Sequence, residues 1–357
     1  ELEKEKKSST DEITTKEFDL SLRKFITAIK RNGQNVQIGD RTPSINTETL
    51  INGTFNRNGK LEYTATYEHS KEPLLVKQGD IITYTLRIYN EGERDGYASE
   101  ITDYIPEGLA LIKDYKTNFN YGWELSKNTN ADNIIDLVGE NGFYKTEEEV
   151  KNLKLEDFSA TTSLKDVKLI KGKEKITTAD LNDELIKAFD KDKTETEAGW
   201  QKAETGEGGL YYKDVEVSFL VIAPNTYKDV LTNVAEISED KAENGDSVND
   251  RDSIPDDKKD PYTESQEDDD DYEPVVLKYF DLALRKFITG VESSGKLNEV
   301  TSRIPQLSID EETGNIKYTH VFPFWESAPL LYIRFFLYKG DGTPWPSCRY
   351  PPPFPAV

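Results

Sequence analysis

The sequence predicts a mainly β protein: an Ig-like Greek-key β-sandwich repeat with a partly helical insertion, then an acidic linker and a truncated second repeat. Three observations carry that expectation. The clearest segments alternate apolar and polar residues with period two, which marks half-buried strands. They end at turn signals such as Asn90-Glu-Gly92. A ten-residue segment also recurs, in register, a domain's length later. Many short strands and few helical patterns are what a sandwich requires.

In chain order, residues 1–15 open Glu1-Leu-Glu-Lys-Glu-Lys-Lys and read as an N-terminal linker to a domain at 16–238. Phe18-Asp-Leu-Ser-Leu-Arg-Lys-Phe-Ile-Thr27 reads as the first strand, although Leu22, Phe25, Ile26 and Ile29 also fit a helical period of 3.6. It returns as Phe280-Asp-Leu-Ala-Leu-Arg-Lys-Phe-Ile-Thr289, nine of ten positions identical at an offset of 262. The offset persists through Gly33/Gly295, Arg41/Arg303 and Pro43/Pro305. Further strands are expected at 81–89, 98–105, 215–222 and 230–237. The stretch 124–213 breaks the pattern and reads as an insertion. There, Thr146 with Glu149, followed by Val150, Leu153 and Leu155, predicts a capped short helix. Thr178 followed by Leu181, Leu185, Ile186 and Phe189 predicts another. Residues 239–274 read as an acidic linker, 275–320 as the start of the second repeat, and 321–357 as an atypical tail. That tail holds 8 of the 16 prolines and the single Cys348, and reads either as a variant end or as a shifted frame; it is assigned no function.

Composition narrows the function classes. The 357 residues carry 45 Lys+Arg against 68 Asp+Glu, a net charge of −23, which argues against nucleic acid and anionic membranes as partners. Residues 239–273 alone hold 16 acidic and 4 basic residues, or −12 of that total, and only five apolar ones. Such a stretch cannot bury enough surface to offset its ordering entropy. One Cys excludes an internal disulfide, and two separated histidines, His69 and His320, make a His metal centre or relay a poor expectation. No apolar run is long enough to span a bilayer. The chain has no Met and no leader at its start, so it reads as an interior slice or a processed product.

The motifs Val76-Lys-Gln-Gly-Asp-Ile-Ile-Thr-Tyr-Thr-Leu-Arg-Ile-Tyr-Asn-Glu-Gly92, Ile101-Thr-Asp-Tyr-Ile-Pro-Glu-Gly-Leu109 and Leu231-Thr-Asn-Val-Ala-Glu-Ile237 follow the opening strand in that order. Together they resemble the conserved repeat domain of prokaryotic surface proteins known as domain of unknown function eleven. The resemblance covers 18–237 apart from the insertion, and 280–320 in part. It implies an Ig-like module strung in tandem on a secreted or cell-wall protein of a bacterial surface, as stalk or adhesin spacer, with the wall or neighbouring repeats as partners.

Strand parity yields a chemical expectation. Lys24 falls on the face of Phe18, Leu20, Leu22 and Ile26; Asn233 on that of Leu231, Ala235 and Ile237; Asp103 on that of Ile101 and Ile105. Buried singly, each costs several kcal/mol or shifts toward its neutral form. Grouped, a desolvated Lys amine can attack a carboxamide while a raised carboxyl group moves the protons. The product is a Lys-Asn isopeptide bond, and pilin and adhesin domains similar to this family form such bonds with an acidic residue between the partners. The matching positions are Lys24, Asn233 and Asp103. Lys286 is the second-repeat equivalent, with partners outside this chain. The competing reading is a Lys that snorkels to solvent and an Asn that caps a bend.

Asp246, Asn249, Asp250 and Asp252 place hard oxygen ligands at the close spacing that Ca²⁺ takes. They lack the EF-hand glycine and closing glutamate, so the segment reads first as solvated charge, like 268–271, with calcium stiffening as the alternative. No other cofactor is expected. Three functions compete. The first is a non-catalytic structural spacer. The second is an adhesin module that binds a host or glycan ligand through the insertion, with Tyr121, Trp123 and Trp200 as contacts or as core anchors. The third is a glycoside hydrolase, for which no carboxylate pair stands out.

Overall fold

The computed structural model describes residues 16–55, 59–126, 131–139, 153–224, 229–256, 267–277, 286–300, 306–309, 316–319 and 331–335. The chain divides into two units, Glu1–Lys278 and Tyr279–Val357. In the first, an eight-stranded and a six-stranded sheet are built chiefly from β1 (Leu20–Arg31), β2 (Leu74–Val76), β3 (Ile81–Asn90), β4 (Gly96–Tyr104), β5 (Leu109–Ile112), β6 (Ile134–Asp136), β7 (Lys168–Lys171), β8 (Lys175–Thr178), β9 (Gly209–Val221), β10 (Leu231–Ala242) and β11 (Asp270–Leu277). One sheet runs β6-β7-β5-β9-β3-β1, and the other β8-β4-β10-β11-β2, with two-residue and three-residue strands at the margins. Between them Leu22, Ile26, Tyr84, Leu86 and Val217 pack with Ala98, Ile101, Ala235, Ile237 and Val275 in one buried cluster. The protein is mainly β and a sandwich, as expected. Among the described residues the α-helices are Glu48–Asn52 and Lys116–Asn120, five residues each, and no helix is long and apolar enough to cross a membrane.

β1 explains why its sequence carried two periods. Leu20, Leu22, Lys24 and Ile26 alternate inward, then the register with β3 shifts between Ile26 and Ala28. Such a bulge inserts one residue and reverses parity, so Ile29 and not Ala28 is buried. Phe25 points to the opposite side and is buried as well, beneath the Arg87 guanidinium at 5.6 Å and beside His69. A strand covered on both faces mimics a helical stripe.

The insertion is structural. Ile81, Ala110, Ile112, Leu169 and Leu220 present a second apolar surface on the outer side of the first sheet, and Tyr115, Leu137, Phe158 and Val167 cover it. Tyr115 and Phe158 meet edge to face at 5.6 Å. The helix expected from Thr178 does not form. Thr178 ends β8, and Ile186 exchanges both backbone hydrogen bonds with Gly96, at 3.1 and 2.8 Å, which holds the chain extended. The helix expected from Thr146 lies mostly outside the described residues; Leu155–Asp157 forms one 3₁₀ turn.

The reading of 239–274 as a linker needs correction. Residues 239–242 continue β10, and the acidic run 268–271 leads into β11, which lies between β10 and β2. Asp269, Asp270, Asp271 and Glu273 are buried. Donors from distant sequence make Asp271 and Glu273 tolerable there: Arg41 Nε donates to Glu273 at 2.7 Å, and Lys71 Nζ and the Lys24 backbone N–H both donate to Asp271 at 2.7 Å. The first unit therefore reaches residue 278, and the second repeat begins later than 275. In the second unit Lys286–Ser293 pairs with Lys296–Glu299 and with Leu331–Phe335, and Gln306–Ile309 pairs with Ile316–Thr319. The tail thus contributes a strand that its composition did not suggest.

Candidate functional site

Lys24, Asp103 and Asn233 come together in the core of the sandwich. Lys24 projects from β1 of one sheet; Asp103 and Asn233 project from β4 and β10 of the other, where Asp103 is paired with Ala235, two positions from Asn233. All three side chains are fully buried. The Lys24 ammonium donates to Asp103 Oδ2, and Asn233 Nδ2 donates to Asp103 Oδ1 at 2.6 Å and to the Tyr104 carbonyl at 3.1 Å. One carboxyl group thus spans the amine and the carboxamide. The Tyr84 ring lies 5.0 Å from the Lys24 nitrogen and closes the site on its own sheet. Asn233 Oδ1 is buried without a partner.

Burial dominates the electrostatics. It lowers the Lys24 pKa, with Asp103 opposing, and it raises the Asp103 carboxyl, with Lys24 and Asn233 opposing. Both groups are displaced toward their neutral forms, so proton transfer from ammonium to carboxylate costs less here than in water. A neutral amine, a protonated acid and a carboxamide held by that acid are the components of an acyl transfer. The parity argument found all three residues. Sequence reading missed the lid: Lys71 caps the same neighbourhood, donating to the Lys24 carbonyl at 3.0 Å and to Asp271. Lys286, by contrast, is exposed at the start of its strand.

The other expected residues are distributed differently. Trp123 is a core anchor, 2% exposed, and its indole N–H donates to the Glu216 carbonyl at 2.8 Å. Trp200 is buried too. Of the calcium candidates, Asp250 and Asp252 gather around Asp19, whereas Asp246 is an exposed turn residue bonded to Asn244 and Asn249 is exposed. Asp19 and Asp268, which belong to that cluster, were not singled out. The signal at Asp19 was an acidic residue between Phe18 and Leu20, whereas Asp268 was hidden in the acidic run read as solvated charge.

No family model matches the chain and no curated protein does, so the resemblance to the surface-protein repeat rests on its motifs. Among solved structures, a variant of BcpA, the major pilin subunit of Bacillus cereus, aligns over 85% of this chain and 72% of its own at 10% identity. The TM-score of 0.21 is too low for that likeness to bear on function.

Proposed function

We propose that this chain is a non-catalytic structural repeat of a bacterial surface or cell-wall protein, stiffened by an isopeptide bond between Lys24 and Asn233. The observation that carries the reading is the single Asp103 carboxyl hydrogen-bonded to both partners at zero exposure. In the reaction, Asp103 takes a proton from the Lys24 ammonium, and the freed amine attacks Asn233 Cγ. Asp103 then returns the proton to the carboxamide nitrogen, the Cγ–Nδ2 bond breaks, and ammonia leaves while the amide to Lys24 Nζ forms. The second amine proton stays on the same carboxyl, which ends protonated and neutral, so atoms and charge balance without a cofactor. Water exclusion favours the product, since no competing hydrolysis reaches the site.

The bond would join β1 of one sheet to β10 of the other, across more than two hundred residues of chain. A tether of that span suits a load-bearing module with a single cysteine. The packed insertion supports the spacer reading over the adhesin, because Leu137, Leu153, Phe158 and Val167 are buried against the first sheet. Intact-mass measurement tests the proposal: the purified chain should weigh one ammonia less than its residues, and Asp103→Ala should restore the full mass. A wild-type chain at full mass refutes it.

A further inference from the structure

A second buried cluster lies at the start of the opening strand. Asp19, just before β1, is fully buried; its Oδ2 accepts from Arg251, and its Oδ1 has no partner. Around it stand two sets of carboxylates whose ligand atoms lie within 4.8 Å of one another: Asp19 with Glu91 and Asp268, and Asp19 with Asp250 and Asp252. Both carboxylate oxygens of Asp268 are buried with no partner, although its backbone carbonyl accepts from Leu22 N at 2.8 Å and Arg23 Nη1 at 3.0 Å. Unpaired ionised oxygens at such depth cost several kcal/mol each. Burial and mutual repulsion accordingly hold the Asp19 and Asp268 carboxyls well above the usual range.

The surroundings are built rather than accidental. Four donors fix the Glu91 carboxylate: Ser21 Oγ at 2.8 Å, Tyr67 OH at 2.6 Å, Ala65 N at 2.5 Å and Thr64 Oγ1 at 3.1 Å. Such outer contacts orient carboxylate ligands at metal sites. Asp250 is held by the Leu20 backbone N–H at 2.9 Å. Glu91 and Arg251 also line a cleft of about 740 Å³ whose walls include Glu17, Glu93 and Asp190, an acidic approach from solvent. Five carboxylates face the guanidiniums of Arg23 and Arg251, so two cations are too few.

We propose that Asp19, Glu91 and Asp268, with Asp250 and Asp252, form a calcium site that fastens the acidic segment following β10 to the start of β1. The ligands are all hard oxygens, as calcium takes and zinc does not favour. Calcium accepts about six to eight oxygens in a flexible geometry, whereas magnesium demands a strict octahedron and keeps several of its waters. Calcium supplies the missing partner to the unpaired oxygens of Asp19 and Asp268, and it converts the most acidic stretch of the chain into part of the fold.

Calorimetric titration of the chelator-treated full chain with calcium chloride, paired with melting curves, tests this. The wild type should show one saturable binding event and a higher melting temperature with calcium. Asp268→Asn should lose roughly tenfold or more in affinity, and the exposed turn variant Asp246→Asn should bind as the wild type does. Should Asp268→Asn fail to fold, Asp252→Asn at the rim carries the same expectation. Absence of saturable calcium binding, an equal response to magnesium, or binding that survives both Asp268→Asn and Asp252→Asn would overturn the proposal.

Discussion

The two charged clusters that flank the beginning of β1 solve burial in opposite ways. At Lys24 the charges are matched inside the fold: one amine, one carboxyl, one amide, each within hydrogen-bonding reach of the next. At Asp19 carboxylates outnumber cations, and buried oxygens are left unpaired. A matched cluster can react within itself, whereas an unmatched one calls for a partner from outside. The same strand therefore presents a site for internal chemistry and a site for a ligand, and depth of burial alone does not distinguish them.

The comparison breaks most visibly if the matched cluster is only a salt bridge. Replacing a buried ion pair with apolar residues is often close to neutral, so Lys24→Met combined with Asp103→Leu would then change little. If the pair is instead the source of a crosslink closing a long loop, the double variant should lose about 4 to 5 kcal/mol in chemical denaturation, by analogy with disulfides of similar span. A loss below about 1 kcal/mol would favour the salt bridge.

The insertion offers the next largest effect. Phe158→Ala removes the edge-to-face partner of Tyr115 from the outer cluster and should cost about 3 kcal/mol or more. A cost near zero, read from the urea midpoint, would return the insertion to the status of a loose platform.

His69 sharpens the electrostatic side. Burial, then Lys71, lowers its pKa from 6.5 to about 4. Between those values the unfolded chain binds the proton and the folded chain does not, so folding stability falls as pH drops from 6.5 toward 4. The effect is at most about 3 kcal/mol. His69→Phe should flatten that part of the stability profile, and an unchanged slope would assign it to the carboxylates. The smallest expected effect is at Lys286, which occupies the same motif position as Lys24 but is exposed. Lys286→Ala should leave intact mass unaltered apart from the substitution and stability within about 0.5 kcal/mol.

Legibility in the sequence followed the range of the interactions. Strand alternation is a local property, so the sandwich strands at 81–89 and 230–237 and the inward direction of Lys24, Asp103 and Asn233 could be read from parity. The helix predicted after Thr178 failed because a partner strand, through Gly96, claimed the backbone of Ile186. The double period of β1 was ambiguous until its bulge and its two covered faces were visible.

By itself, then, the sequence determined the β class, the repeat, and three polar residues aimed inward, since each depends on the order of neighbours along the chain. Only the tertiary structure decided that the acidic run becomes a strand at the heart of a sheet and that Asp19 shares its site with Asp268. Composition marked 268–271 as solvated, which is the right expectation for carboxylates without partners. Arg41, Lys71 and Arg23 bring positive charge from two hundred or more residues away, and no local pattern records a partner at that distance.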